Sequence, residues 1–414
     1  MTNQAQLSFV TFKKDTYIIV EGKQNADRFF IINQGNVLIS KEIEVVSEEQ
    51  GNKLGPGDFF GVISTMSSHS HIETAQALSD VVLISVPREQ YGELIRNNTP
   101  VAMKIILQFS KRLRYLNDSL SKLTFKDDSS GYPSQLFDVA EFFARQSRYS
   151  QAYYVYYQYV KHFPKGEYVQ TANERMAKIA IYAKNVKTNF APNETSRTYA
   201  KNSLIFAEGE PGNELFIIQR GSVTISKIVN DNEVLLAVLK TGDIFGEMAM
   251  LEAKPRAACA LAYEDCQVMV INRENFEHMI RTQPQLIAKL TGLLADRIWF
   301  IYKQLANTLI VDTLGRVYDT LCIHLEKNRI PKDSTGPYTF NFGPKELLNM
   351  VGIPPKDANA ELKKVFANNK IVIVNEKIHA LSVGEVVKQT EYYRKMQKIG
   401  DTRKESAITR SFRS

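Results

Sequence analysis

The sequence predicts an α+β multidomain protein in which one antiparallel β domain occurs twice. Three observations carry this prediction. Segments rich in β-branched and aromatic residues recur in the two halves, with glycines at matching places. A helical stretch separates the two copies, and a helix-and-hairpin pattern follows the second. At roughly 150 residues per domain, 414 residues leave room for these modules.

The repeat rests on matching segments that lie at a nearly constant offset. FFIINQGNVLIS matches LFIIQRGSVTIS, GPGDFFG matches KTGDIFG, and YIIVEGKQN matches LIFAEGEPGN. The offset is 187 between Gly22 and Gly209 and 184 between Pro100 and Pro284. Short strands with regularly spaced turn residues are typical of an antiparallel sandwich or barrel. The two copies therefore predict two β domains of one kind.

The pattern along the chain predicts five segments. They are a first β domain at 1–126, a helical insert at 133–190, a second β domain with a long C-terminal helix at 197–310, a helix-and-hairpin module at 311–385 and a basic tail at 386–414. The spacing in the insert resembles a single tetratricopeptide unit of two antiparallel helices. Its aromatic run YYVYYQY either packs against the β domains or offers a surface to a protein partner.

The composition excludes several classes of protein. Hydrophobic residues make up 44% and charged residues 23%, so the chain can bury ordinary cores and is not disordered throughout. No segment approaches the roughly 18 apolar residues of a membrane helix, and the N-terminus lacks a secretory pattern. Three cysteines without a CxxC pair disfavour disulfides and a cysteine zinc site. We expect a cytoplasmic protein with no membrane partner.

The net charge of +7 is mild and unevenly placed. The segment 386–414 holds eight Lys and Arg against three acids, which places a net +5 of the +7 in these last 29 residues. Such a tail can contact nucleic-acid phosphates in a salt-sensitive way, or it can be a solvated end.

One segment of the second copy has the chemistry of an anion site. GDIFGEMAMLEAKPRAACALA places Glu247 nine residues before Arg256, with a small-residue turn between them. The amides of Ala257 and Ala258 and the N-terminus of a short helix after Gly246 can hold an anion, and a guanidinium adds a charge-assisted pair to phosphate. A carboxylate cannot bind phosphate, but it can accept a hydrogen bond from a ribose hydroxyl.

The stretch FGEMAMLEAKPRAA resembles the phosphate-binding cassette of cyclic nucleotide-binding domains, and the resemblance covers 15–123 and 199–310. It implies the β-roll (jelly-roll) fold for both copies, with Glu247 on the ribose 2′-hydroxyl and Arg256 on the cyclic phosphate. The implied ligand-binding residues of the cassette are Gly246, Glu247, Met248, Ala249, Arg256, Ala257 and Ala258. Ala257 stands where cyclic GMP binders often carry Thr, which favours cyclic AMP over cyclic GMP.

Base recognition departs from the family pattern. Regulators of the cyclic AMP receptor protein (Crp/Fnr-like) family carry a Thr-Ser pair on the long helix, whereas Ile301 and Tyr302 stand here. We expect Trp299, Tyr302 or Tyr263 to stack on the purine. Packing in the core or at a dimer seam is the alternative for Trp299.

The first copy lacks both key residues of the cassette. Val62 stands at the Glu247 position and His71 at the Arg256 position, so the ribose acceptor is lost and the phosphate partner is a mostly neutral imidazole. We expect a degenerate domain kept for packing or dimerisation. Binding of another ligand and weak nucleotide binding are the alternatives. His69 and His71 alone do not make a metal site.

One apolar stripe runs along the long helix that ends the second copy. Its members are Leu286, Leu290, Leu293, Leu294, Ile298, Ile301, Leu305 and Leu309. Spacings of three and four place them on one helix face. In the family such a helix pairs two subunits, so the resemblance implies a homodimer. Packing on its own β domain is the alternative.

The segment 311–385 resembles the winged helix-turn-helix of the same family. KELLNMV would be the first helix, DANAELKKVFANN the recognition helix and IVIV-NE-KIHAL the wing. The Arg, Glu and Arg of the family are replaced by Pro355, Lys356 and Ala360, so bidentate guanine readout is lost. The candidate DNA-binding residues, able to touch phosphates or an adenine edge, are Lys356, Asn359, Lys363 and Lys364.

Together these patterns favour a ligand-gated transcription regulator that binds a cyclic nucleotide in its second β domain and DNA through its C-terminal module. The alternative is a nucleotide-sensing scaffold that signals through protein partners, at the helical insert, without reading DNA. A third hypothesis keeps DNA binding and loses the ligand. The sequence contains no recognisable nucleophile–base pair, Walker loop or metal constellation, so we expect neither an enzyme nor a cofactor.

Overall fold

The structure is a computed structural model that describes residues 8–24, 26–41, 52–125, 134–183, 186–191, 194–229, 231–353, 358–367 and 370–411. Among these residues, no helix is both long enough and apolar enough to cross a membrane. Within the same ranges, no group of three His, Cys, Asp or Glu residues is arranged to hold a metal ion.

The first copy is a roll of short antiparallel strands followed by helices. The strands are β1 (Ser8–Phe12), β2 (Tyr17–Ile19), β3 (Arg28–Gln34), β4 (Val37–Ser40), β5 (Lys53–Leu54), β6 (Phe59–Phe60), β7 (Thr74–Ala77) and β8 (Val81–Pro87). The helices are α1 (Val62–Ser67), α2 (Tyr91–Asn97) and α3 (Thr99–Phe125). Two sheets, in the orders β1-β8-β3-β6 and β2-β7-β4-β5, enclose a core that includes Phe30, Ile32 and Leu83.

The second copy repeats this topology strand for strand. Its strands are β9 (Ser196–Tyr199), β10 (Leu204–Phe206), β11 (Glu214–Arg220), β12 (Ser222–Val229), β13 (Asn232–Lys240), β14 (Ile244–Phe245), β15 (Cys259–Ala262) and β16 (Cys266–Asn272). Its helices are α7 (Glu247–Glu252), α8 (Arg273–Thr282) and α9 (Pro284–Thr308). The sheet orders β9-β16-β11-β14 and β10-β15-β12-β13 match those of the first copy, which confirms two antiparallel β domains of one kind.

The insert between the copies consists of α4 (Ser134–Arg145), α5 (Tyr149–His162) and α6 (Val169–Ile179). The expected two-helix hairpin is therefore incomplete, because α6 continues it. Val169, Ala172, Met176 and Ile179 repeat at helical spacing and could have predicted that third helix. The aromatic run packs inward: Tyr156 and Tyr159 share one core with Leu204 and Cys259 of the second β-roll.

The long helices α3 and α9 lie against each other inside one chain. A single core contains apolar residues from both helices, namely Ile105, Phe109, Leu113, Leu116, Leu290, Leu294, Ile298 and Leu305. The expectation that the stripe on α9 pairs two subunits is wrong, because α3 of the same chain covers it. The alternative, that α9 packs only on its own β domain, is also incomplete, because residues of α3 belong to the same core. The two β-rolls thus form a pair within one chain.

Contacts across this pair are reciprocal. On one side, Glu252 at the end of α7 accepts hydrogen bonds from Ser110 Oγ (2.7 Å) and Arg114 Nε (2.9 Å) of α3. On the other side, the ring of His69, just after α1, stacks on Trp299 of α9 at 3.9 Å between centroids. Each roll therefore rests its short helix on the long helix that belongs to the other.

The C-terminal module follows α9 directly. Its elements are α10 (Thr313–Lys327), β17 (Tyr338–Thr339), α11 (Pro344–Val351), α12 (Ala358–Phe366), β18 (Ile371–Val374), β19 (Lys377–Ala380) and α13 (Val383–Ser411). Gly352 ends α11 with a φ of +70°, and Asn375 and Glu376 form the tight β18–β19 turn with φ of +49° and +63°. The helices and the hairpin enclose one core that includes Leu321, Leu347 and Val365.

The segment expected as a basic tail begins inside α13. Val386 and Thr390 are 1% and 2% exposed, and the Thr390 hydroxyl donates to the Tyr318 carbonyl at 2.9 Å. Arg394 Nε donates to Asp319 of α10 at 2.7 Å. The boundary at 385 is therefore wrong, because at least the first turns of α13 belong to the folded module.

Candidate functional site

Arg256 is buried beneath the cassette of the second β-roll, with 6% of its surface exposed. Its Nη1 donates to the carbonyl oxygens of Gly246 (2.6 Å) and Glu214 (2.8 Å), and its guanidinium lies 4.3 Å from the Phe206 ring centre. Burial lowers the pKa of Arg256, and the nearby Glu210 opposes this effect. Its Nε is buried without a hydrogen-bond acceptor among the described residues. A donor left in this state suits an anion that supplies the missing acceptor.

Gly246 and Gly212 leave the space that the Arg256 guanidinium occupies. Gly246 adopts a φ of +77°, and a Cβ there would lie 2.8 Å from Arg256 Nη1. A Cβ at Gly212 would lie 2.3 Å from Arg256 Nε. Any larger residue at Gly212 must therefore displace the arginine side chain. The sequence motif identified Gly246, whereas nothing in its spacing identified Gly212.

Glu247 is the first residue of α7 and is 1% exposed. Arg297 of α9 donates from Nη1 to Glu247 Oε1 at 2.9 Å and from Nη2 to the Ile244 carbonyl at 2.6 Å. This pairing balances the charge of a buried carboxylate, which retains lone pairs for a ribose hydroxyl. Sequence reasoning missed Arg297, which lies 50 residues after its partner. Through it the cassette is bonded to the long helix.

The other cassette residues lie around these two side chains. Ala249 and Ala258 are buried, while Met248 and Ala257 are partly buried. The backbone of Arg256 pairs with the loop before β11: its N–H donates to the Glu210 carbonyl at 2.8 Å, and the Gly209 N–H donates to its own carbonyl at 2.9 Å. The structure therefore places the predicted cassette residues on α7 and in the segment that leads into β15.

Two of the three aromatic residues expected on the purine, Trp299 and Tyr302, lie elsewhere. Trp299 follows Arg297 by two residues, or about 200° around the helix, so it points away from Glu247. It is 1% exposed and stacked on His69 of the first β-roll. Tyr302 is also buried, with Lys41 Nζ of the first roll 5.4 Å from its ring centre. The expectation that Trp299 and Tyr302 stack on the purine is therefore corrected. Both residues pack at the seam between the two rolls, which is formed by their contacts with His69 and Lys41, as the alternative for Trp299 anticipated.

Helix α3, the long helix of the first roll, contacts the second roll at β12 and at the cassette. Lys227 of β12 is 6% exposed, and its Nζ lies 3.4 Å from Asp118 Oδ1 on α3. Arg114 Nη1 of the same helix donates to the Pro255 carbonyl in the cassette at 3.1 Å. Sequence reasoning considered only α9 as the neighbour of the ligand. The fold adds α3, because the two copies pair within the chain.

In the first roll, a buried acidic residue stands at one of the positions that correspond to the cassette. Glu73 stands at the Ala258 position and is 7% exposed. Its Oε1 accepts a hydrogen bond from the Gly61 amide at 3.0 Å. A buried carboxylate at this point repels an incoming phosphate. The sequence already contained this replacement, but the comparison of Val62 and His71 alone did not reveal it.

The candidate DNA-binding residues fall on or near α12. Lys363 and Lys364 are exposed, and Lys364 Nζ lies 2.7 Å from Glu361 Oε1. Lys356 and the side chain of Asn359 lie outside the described residues. Of the four predicted contacts, Lys363 and Lys364 are therefore the two whose side chains the structure describes.

Comparison with known proteins identifies the class of the two β domains. A family model described as "Cyclic nucleotide-binding domain" matches residues 9–98 and 196–283. A CRP-like cAMP-activated global transcriptional regulator of Mycobacterium tuberculosis is 27% identical over 165 residues, covering 40% of this chain and 74% of that protein. The cAMP-activated global transcriptional regulator CRP of Salmonella typhimurium is 29% identical over 177 residues, covering 42% of this chain and 83% of that protein.

Among solved structures, a c-di-GMP-responsive global regulator of Xanthomonas campestris matches with a TM-score of 0.37 and 21% identity, covering 45% of this chain and 92% of that chain. The family matches show that the chain carries two domains of the cyclic nucleotide-binding class. The sequence matches relate 40–42% of the chain to CRP-like transcriptional regulators at 27–29% identity.

Proposed function

We propose that the protein is a ligand-gated transcription regulator that binds cyclic AMP in its second β-roll and DNA through a C-terminal winged helix. The observation that carries the first half is the cassette itself. Arg256 is buried with an Nε that has no hydrogen-bond acceptor among the described residues, and the buried carboxylate of Glu247 belongs to the same cassette. In this proposal Arg256 binds the cyclic phosphate and Glu247 accepts from the ribose.

The order and packing of α10 to α13 support the second half of the proposal. Helix α11, the Gly352 turn, α12 and the β18–β19 hairpin follow one another as in a winged helix-turn-helix. Lys363 and Lys364 lie exposed on the helix that would face DNA. Because guanine-reading arginines are missing, we expect these lysines to contact phosphates.

A series of hydrogen bonds along α9 connects the cassette of the second roll with the C-terminal module. Arg297 ties Glu247 to α9, and near the end of that helix Asn307 Nδ2 donates to the Arg316 carbonyl and to Asp319 Oδ2, both at 2.9 Å. A nucleotide that draws Glu247 towards its ribose therefore acts on a helix bonded to the module. We expect it to shift a population between two arrangements of that module.

The first β-roll supports this function without binding a nucleotide. In the proposal it takes the place that a second subunit would occupy, since α3 covers the stripe on α9 and contacts the cassette. The homodimer expected from sequence would then need another surface. One chain would present one nucleotide site and one DNA-binding module.

DNA binding is tested by retention of the full chain on a pool of random duplexes, with and without cyclic AMP. We expect cyclic AMP to enrich particular sequences. Lys363→Ala should weaken binding to all sequences alike and reduce the slope of log affinity against log salt by about one unit. Lys240→Ala, an exposed lysine on the second roll, should leave that slope unchanged. Retention that is independent of cyclic AMP would contradict the proposal.

The alternative function is a nucleotide-sensing scaffold that acts through a protein partner. Its supporting observation is that the helical insert packs on the second roll and leaves Ile181 and Tyr182 exposed at 74% and 58%. Normal cyclic AMP binding together with no retention on DNA would favour this alternative.

A further inference from the structure

The helical insert meets the phosphate pocket at one buried polar cluster. Tyr154 of α5 and Glu210 of the loop before β11 are 5% and 8% exposed. The Tyr154 hydroxyl lies 3.2 Å from both carboxylate oxygens of Glu210 and 3.2 Å from the Ile205 carbonyl. The Ala207 amide donates to Glu210 Oε2 at 2.9 Å. Since the Glu210 carbonyl accepts from the Arg256 amide at 2.8 Å, the cluster adjoins the phosphate-binding residue directly.

The hydrogen-bond geometry accommodates a proton on Glu210. One tyrosine hydroxyl has one hydrogen, yet three acceptor oxygens surround it when Glu210 is ionised. When Glu210 is protonated, its O–H can donate to the Tyr154 oxygen, and the Tyr154 hydroxyl can donate to the Ile205 carbonyl. The cluster therefore offers hydrogen-bond partners to both forms of Glu210, since Tyr154 can donate to the ionised acid and accept from the protonated one.

Burial favours the protonated form of Glu210, whereas the surrounding charges favour the ionised form. Burial raises the pKa of Glu210 to about 7, against the opposing effects of the Ala207 amide, Arg256, Tyr154 and Lys161. Burial raises the pKa of the neighbouring Tyr199, with a smaller contribution from Glu210, and Glu214 and Glu247 also face Arg256. In the absence of ligand, Arg256 is the cation that favours ionised Glu210. An anionic phosphate on Arg256 removes much of that support and adds a like charge nearby.

We propose that Glu210 takes up a proton when a cyclic phosphate binds Arg256, and that Tyr154 makes the helical insert part of this proton-linked control of ligand affinity. The proposal rests on the proposed function of the second β-roll. In it, Glu210 and Tyr154 are positioning residues, since they act on the ligand through Arg256. Any partner that shifts α5 would then change nucleotide affinity, and the nucleotide would reciprocally change the affinity for that partner.

The test is calorimetric titration of the full chain with cyclic AMP in buffers of different ionisation enthalpy. At pH 7 the wild-type chain should take up about half a proton per bound nucleotide, rising towards one at pH 8. Its affinity should fall as pH rises, by at most about tenfold per pH unit. The phosphodiester and the purine do not titrate in this range, so the proton must bind the protein.

Glu210→Gln should bind with the affinity that the wild-type chain has at pH 6 and take up no proton. Tyr154→Phe removes a donor to the ionised carboxylate, so the fall in affinity should move to higher pH. The control is Glu141→Gln, which alters another acid bonded to a tyrosine of the same insert, Tyr156, and should leave the wild-type profile. An unchanged pH profile in Glu210→Gln, or binding by the wild-type chain without proton uptake, would overturn the proposal. Absence of any cyclic AMP binding would instead refute the proposed function.

Discussion

Replacing Arg256 by leucine is expected to abolish cyclic AMP binding by the full chain. The guanidinium is a buried cation of the cassette, and its Nε has no hydrogen-bond acceptor among the residues that the structure describes. Removing one partner of a buried charge pair costs about 3–5 kcal/mol, which corresponds to roughly a 100- to 3,000-fold loss of affinity. Isothermal titration calorimetry measures this loss.

The matched control for this variant is His71→Ala at the corresponding position of the first β-roll. We expect it to bind cyclic AMP as the wild-type chain does, because the proposed site lies in the second roll and the first roll carries the buried acid Glu73, with Arg112 Nη1 at 4.0 Å from its carboxylate. The folded state of both variants is checked by circular dichroism, since Arg256 also bonds two backbone carbonyls. Wild-type affinity in Arg256→Leu would show that the phosphate binds elsewhere.

Replacing Trp299 by alanine is expected to lower the free energy of unfolding by about 3–5 kcal/mol. The indole is 1% exposed and fills the seam between the two rolls, where it stacks on His69. Its loss leaves a cavity that neither the long helix nor the first roll can easily fill. Urea unfolding followed by circular dichroism measures the effect, because Trp299 is the only tryptophan and fluorescence would be lost.

The control for the seam is Tyr263→Ala, which removes an aromatic ring that is 53% exposed. Its effect should stay within about 0.5 kcal/mol, as is usual for exposed positions. A loss below about 1 kcal/mol in Trp299→Ala would mean that the two rolls do not depend on this seam.

The local parts of the site could be predicted from the sequence. Gly246, Glu247 and Arg256 lie within eleven residues, and the resemblance of FGEMAMLEAKPRAA to a phosphate-binding cassette singled them out. The presence of two β domains of one kind also followed from the repeat, since alternation and turn residues act over short distances. What could not be predicted depends on contacts between distant segments. Arg297 reaches Glu247 only because α9 folds back over the roll that precedes it.

The role of the stripe on α9 shows the same limit. Spacing identifies an apolar helix face, but it does not say which helix covers that face. The helix that covers this face is α3, which lies almost two hundred residues earlier. In the dimeric family pattern a second subunit covers the face, so that pattern does not predict that the two copies pair within one chain. Likewise, nothing in YYVYYQY distinguishes Tyr154, which bonds Glu210, from its packed neighbours. The basic tail was misassigned because Val386 and Thr390 are too few to show a buried helix face.

The central claim is that the duplicated chain contains one functional cyclic nucleotide site, in its second β-roll. The most direct test is the stoichiometry of cyclic AMP binding to the full chain in a calorimetric titration. We predict one nucleotide per chain, with cyclic GMP binding more weakly. Two nucleotides per chain, or no binding at all, would contradict the claim.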